Sequence, residues 1–122
     1  MQEPYVNNTG LMWNLAAEMG ALVVFAEHRY EGKSFPPSVG VADCISYGTT
    51  AQAIADYVAL VQALKEEFAA PTAPVIAFGG SYGGMLAGWA RIVAPEVFTG
   101  SIAASAPVRM IMSSDTYNYK GG

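Results

Sequence analysis

The chain has 122 residues, enough for one domain at most, with hydrophobic residues at 52% and charged residues at only 13%. That balance excludes intrinsic disorder, which needs low hydrophobicity and high charge. The net charge of -4, with no cluster of Lys or Arg, argues against a nucleic-acid-binding surface.

So few charges cover a small domain thinly, because a domain of this size leaves roughly 35–40% of its unfolded-chain area exposed. The composition fits the buried centre of a larger protein better than a stand-alone unit. The 13 Gly and 7 Pro follow no repeat period. No apolar run reaches the roughly 20 residues of a membrane span. Met1-Gln2-Glu3-Pro4-Tyr5 has neither the basic nor the apolar stretch of a signal peptide. Cys44, the one cysteine, reads as a free thiol or as half of a bridge whose partner lies elsewhere.

In chain order, Leu11, Leu15, Ala16 and Met19 recur at helical spacing, and Gly20 suits the residue just past a helix end. Ala21-Leu22-Val23-Val24-Phe25-Ala26 is short, continuous, apolar and partly β-branched, which predicts a strand buried on both faces. Glu27 to Gly48 mixes Gly, Pro, Ser and charges without periodicity and reads as a long loop. Thr49-Thr50-Ala51-Gln52 fits a capping box. It opens a helix whose apolar stripe is Ile54, Tyr57, Val58, Val61, Leu64 and Phe68, and Pro71 and Pro74 close it. Val75-Ile76-Ala77-Phe78 predicts a second buried strand. A helix over 82–93 follows, stopped by Pro95, and then a third strand from Gly100 to Ala106. The polar tail from Ser113 is expected to fray. Met12, Trp13, Met85 and Trp89 sit at helical positions or beside the turn after the second strand, where core packing is the better reading than a ligand cage.

Strands separated by helices predict an α/β architecture, a parallel sheet with helices on both faces. A three-stranded piece of such a sheet has two edges, both liabilities if bare.

Gly79-Gly80-Ser81-Tyr82-Gly83 is G-x-S-x-G, set between a predicted strand and a predicted helix. That is the setting of a nucleophile elbow in the α/β-hydrolase fold. The serine must sit on a sharp strained turn, so neighbours lacking Cβ relieve clashes around it. The Tyr82 N–H, at the helix N-terminus, can face a developing oxyanion. The alternative is a glycine-rich turn carrying an idle serine. Phosphate-binding loops fail on spacing: Ser81 stands where G-x-G-x-x-G needs its second glycine, and Met85 where a P-loop needs lysine.

A serine nucleophile needs a base. His28 is the single histidine, and it precedes Ser81, whereas the order in this fold is Ser, Asp or Glu, then His. His28 is therefore expected to order its loop or line the site, not to act as the base. Downstream of Ser81 stand two acids, Glu96 and Asp115, and no histidine. The 122 residues alone cannot hold a complete triad.

Five segments resemble one known family in the same order. Glu27-His28-Arg29-Tyr30-Glu31-Gly32-Lys33-Ser34 resembles the EHRYYGxS segment of the serine carboxypeptidase family S28. Ala51-Gln52-Ala53-Ile54-Ala55-Asp56-Tyr57 is similar to that family's EQALADF helix. Residues 74–87 are similar to its nucleophile segment, and residues 100–108 to its GALAASAP strand. Asn7-Asn8-Thr9-Gly10 matches the stretch before its first helix. The resemblance implies a partial α/β-hydrolase catalytic domain over 1–122 and a serine-type exopeptidase, either a proline-selective carboxypeptidase or a dipeptidyl peptidase working through an acyl-enzyme. It implies Ser81 as nucleophile and the Tyr82 backbone N–H as oxyanion donor, with Gly80, Glu27, His28, Arg29 and Tyr30 as candidates for lining the site. It implies no metal or cofactor. The expected partner is a peptide with proline near the cleaved bond; nucleic acid and a membrane span are not expected, and a homodimer of the full-length protein is left open. The family's residence implies the secretory pathway, lysosome, vacuole or extracellular space, where the Asn7 sequon becomes a glycosylation candidate beside the bland reading of an unused triplet.

The departures are specific. Glu31 replaces the family's second Tyr, the Gly-Asn-Glu-Gly segment before Asn7 is absent, and residues 36–48 follow their own course, with Cys44 among them. The family's helical insert and its triad Asp and His lie beyond the matched segments. The chain is thus expected to be a fragment of such a peptidase. The alternatives are an inert or partner-dependent product, and an esterase or lipase, which would share the elbow but not the segments at 27–34 and 100–108.

Overall fold

The computed structural model describes residue 6, residues 10–35 and residues 47–108. The chain divides into two compact units, Met1–Tyr57 and Val58–Gly122, joined through one continuous helix.

In the first unit, helix α1 runs over Gly10–Met19. It ends as its sequence predicts: Gly20 takes φ 61°, and the Ala21 N–H reaches back to the Ala16 carbonyl at 2.9 Å, a Schellman-type closure. No residue of α1 is buried. Trp13 stacks at a tilt on Phe25 at 5.8 Å and donates its indole N–H to the Val6 carbonyl at 2.7 Å.

The strand expected over Ala21–Ala26 is not formed. Residues 21–28 carry no ladder, and Leu22 and Val24 are 60% and 41% exposed. Their composition is strand-like, but a strand exists only against a hydrogen-bonding neighbour. Among the described residues this segment has no such neighbour, so the sheet has two strands and not three.

Helix α2 spans Thr50–Glu67. The capping box is in place: the Gln52 N–H donates to Thr49 Oγ1 at 3.3 Å, and the Thr49 N–H donates to Gln52 Oε1 at 3.2 Å. Ala53 and Ile54 are buried. Tyr57, Val58, Val61 and Leu64 are half-buried, whereas Phe68 lies past the helix end and is exposed. The helix closes before the prolines act. Ala69 adopts φ 49°, and the Ala70 N–H donates to the Lys65 carbonyl at 2.9 Å.

The second unit is a β-α-β arrangement of β1 (Ile76–Gly80), α3 (Tyr82–Val93) and β2 (Gly100–Ala104). The strands are parallel and in register from Ile76↔Gly100 to Gly80↔Ala104. Strand β2 is two residues shorter than expected, because Ser105 turns to φ 48° and leaves the ladder. Helix α3 packs across both strands and buries Gly84, Met85, Leu86, Ala87 and Ala90. Ala94, Val97 and Phe98 complete this core. Met85, Leu86 and Phe98 each contribute about 1.5–3 kcal/mol by leaving water. Trp89 is half-buried, so Met85 is the one member of the Met and Trp group that meets the core expectation fully; Trp13 is exposed. The α3 terminus follows from Pro95, since the residue before a proline is pushed out of the helical region, and Ala94 sits at φ -133°, ψ 60°.

No helix among the described residues is long and apolar enough to cross a membrane.

Candidate active site around Ser81

Strand β1 delivers Ser81 to the point where the chain reverses into α3. Ser81 holds φ 55°, ψ -121°, a region that a side chain enters only at a cost of about 1–3 kcal/mol. Three contacts hold it there. The Ser81 N–H donates to the Ala104 carbonyl at 3.0 Å, its carbonyl accepts the Met85 N–H at 3.1 Å, and α3 packs on the sheet behind it. The Ser81 hydroxyl makes no capping hydrogen bond to the helix it precedes, and the residue is exposed. Tyr82 is the first residue of α3, where backbone N–H groups point out along the positive end of the helix dipole. Gly80, exposed, ends the strand beside it.

The glycines divide unequally. A Cβ on Gly79 would collide with the Gly83 carbonyl and lie 2.7 Å from the Gly84 nitrogen. A Cβ on Gly84 would come within 2.8 Å of the Ala104 oxygen and 3.2 Å of the Ala106 Cβ. A Cβ on Gly83 would meet nothing within 4 Å. The expectation that both motif glycines relieve clashes thus holds for Gly79 and fails for Gly83. The second tight position is Gly84, outside the motif, where helix and sheet touch.

Glu27, His28, Arg29 and Tyr30 form a cluster in the first unit. The Glu27 carboxylate accepts the Lys33 N–H at 3.0 Å, the Ser34 N–H at 2.9 Å and the Ser34 hydroxyl at 2.8 Å. It thereby closes the turn over 30–34, in which Tyr30 takes φ 64° and Gly32 φ 51°. A Cβ on Gly32 would strike the same carboxylate. Tyr30 packs edge-on against Phe35 at 5.7 Å, and His28 Nδ1 lies 2.7 Å from the Arg29 carbonyl. The expected loop is present over residues 27–35, where it is ordered into a turn; residues 36–46 lie outside the described residues. His28 lies at the start of this turn.

Arg29 fixes this turn to α2. Its Nε and Nη2 donate to the two Asp56 oxygens at 2.6 Å each, and its Nη1 donates to the Tyr47 carbonyl at 2.8 Å. Arg29, Tyr30, Ser34 and Asp56 line a shallow cavity of about 260 Å³. The Arg29 hydrogen bond, opposed by partial burial and aided by its charge, holds the Asp56 carboxyl below the usual carboxylate range. Asp56 therefore stabilises the fold above its unfolded value near 3.9, and this contribution is lost as pH falls through its lower folded value. Both groups are partly exposed, so solvent screening keeps the pair to the order of 1 kcal/mol. Asp56→Asn in the full-length protein is expected to lower the thermal midpoint by a few degrees near neutral pH. The gap from wild type should close as pH drops below about 4; a gap that persists unchanged there contradicts the ion-pair assignment.

Sequence reasoning missed Asp56, Gly84 and the Ala104 carbonyl. Arg29 and Asp56 are 27 positions apart, and no local pattern links them. Asn7 and Cys44 lie outside the described residues.

The family model described as serine carboxypeptidase S28 matches residues 1–120. The chain is 47% identical over 108 residues to human lysosomal Pro-X carboxypeptidase, covering 85% of the chain and 22% of that protein. It is 46% identical over 126 residues to prolyl carboxy peptidase like protein 5 of Caenorhabditis elegans, covering 96% of the chain and 25% of that protein. It is 40% identical to the human thymus-specific serine protease over 105 residues. The chain spans about a fifth to a quarter of the length of these relatives. A match along nearly its whole length places the chain in the serine carboxypeptidase S28 family.

Proposed function

We propose that this segment supplies the nucleophile of a serine-type exopeptidase that cleaves peptides next to proline in a lysosomal or secretory compartment. The observation that carries the reading is the strained Ser81 turn between β1 and α3, with its hydroxyl outside the helix cap. The small parallel sheet with α3 packed on it fits part of the α/β-hydrolase fold of the family.

In this reading Ser81 Oγ attacks the scissile carbonyl carbon. A histidine in the rest of the full-length protein takes the hydroxyl proton, and an aspartate there orients that histidine. The C–N bond breaks, the proton passes to the leaving amine, and water hydrolyses the acyl ester. The donor assigned to the oxyanion is the backbone N–H of Tyr82, the first residue of α3. One such donor is worth about 3–4 kcal/mol in the transition state.

The test uses the full-length protein and three substrates: a peptide with penultimate C-terminal proline, a peptide with proline second from the N-terminus, and a p-nitrophenyl ester. Cleavage of one peptide beside proline is the expected result, and the peptide chosen tells carboxypeptidase from dipeptidyl peptidase. Turnover of the ester alone would establish the esterase reading, and no turnover the inert one.

A further inference from the structure

We propose that Ser105 is a second hydroxyl of the Ser81 site, hydrogen-bonding the substrate main chain beside the bond to be cut. This rests on the assignment of Ser81 as nucleophile. Three observations place Ser105 there. Strands β1 and β2 end in register at Gly80↔Ala104, so Ser81 and Ser105 are each the first residue beyond the last ladder pair. The Ser81 N–H donates to the Ala104 carbonyl, whose own peptide unit leads into Ser105. Segment 104–106 also lies against the first turn of α3, where the Ala104 oxygen and Ala106 Cβ approach Gly84.

The fourth observation concerns residue type. Ser105 takes φ 48°, a backbone region that glycine enters freely and an L-residue enters at a cost. It is exposed, so core packing does not account for the side chain. A strained, exposed residue with a hydroxyl, one position past the strand end as Ser81 is, fits a role for the hydroxyl itself. A serine hydroxyl can both donate and accept, which suits a peptide N–H or C=O. Losing one neutral hydrogen bond of this kind removes about tenfold in kcat/KM.

The test is Ser105→Gly in the full-length protein, a change that removes the hydroxyl and relieves the backbone. Two rates are measured: peptide kcat/KM, and the rate of covalent labelling by a small fluorophosphonate, which makes no main-chain contact outside the elbow. Peptide kcat/KM is expected to fall about tenfold while labelling keeps its wild-type rate. Equal losses in both would mean that Ser105 acts by shaping the elbow, and no loss in either would mean that its hydroxyl is idle; each overturns the proposal. If Ser105→Gly fails to fold, Ser105→Ala, which keeps the native strain, is read in the same way. Ser81→Ala run in parallel separates the two assignments, since peptide turnover surviving in that variant removes the nucleophile reading whatever Ser105 does.

Discussion

Ser81→Ala in the full-length protein should reduce kcat by about 10⁴–10⁶-fold with little change in KM or thermal stability. The size of the loss follows from the role. Without Oγ there is no acyl-enzyme, and the residual rate over water comes from binding and the oxyanion donor alone. The small effect on stability follows from the geometry: the hydroxyl caps nothing, the residue is exposed, and its removal leaves the backbone bonds from Ala104 and to Met85 in place. Steady-state kinetics and a thermal melt on the same preparation check both halves. A variant that melts far below wild type would show that Ser81 is a structural residue of the turn.

Gly79→Ala should be the most damaging single-methyl change in the segment. The added Cβ would meet the Gly83 carbonyl and the Gly84 nitrogen, both backbone, so no flexible side chain can move aside. Relief requires α3 to shift away from β1, which disturbs the packing of Met85 and Leu86 and moves Ser81 with it. Overpacking of this sort costs about 1–3 kcal/mol or more, and a displacement of about 1 Å at the reacting group costs on the order of 100-fold in rate. Gly83→Ala, where a Cβ meets open space, is the matched control and should lose far less of either. Comparable losses in the two variants would contradict the close approach of strand and helix at Gly79. Denaturant melts and kcat/KM on the pair decide it.

Much of this was legible in the residues. The capping box at Thr49 and Gln52, the Gly20 helix end and the α3 boundaries all depend on contacts within a few positions, so local chemistry dictates them. The strain at Ser81 was legible for the same reason, since a serine between a short apolar run and a helix has little other way to turn. Contacts set by partners far along the chain were not legible. Ala21–Ala26 has strand composition but no ladder, because pairing depends on a neighbour that composition does not supply. Ser105 left β2 early for a reason visible only in its backbone dihedral. The Arg29–Asp56 fork and the Glu27 carboxylate, which order the turn over 30–34, join residues that no short pattern connects. Family resemblance marked Glu27 to Tyr30 as important, and the geometry assigns Glu27 and Arg29 the work of holding that turn.

The most direct test of the central claim is to react the full-length protein with a fluorophosphonate and map the adduct by tandem mass spectrometry. A single adduct on the peptide containing Ser81, absent after heat denaturation and absent in Ser81→Ala, is the predicted result. An adduct on a different serine, with Ser81 unmodified in active protein, would contradict the assignment of the β1–α3 turn as the nucleophile site.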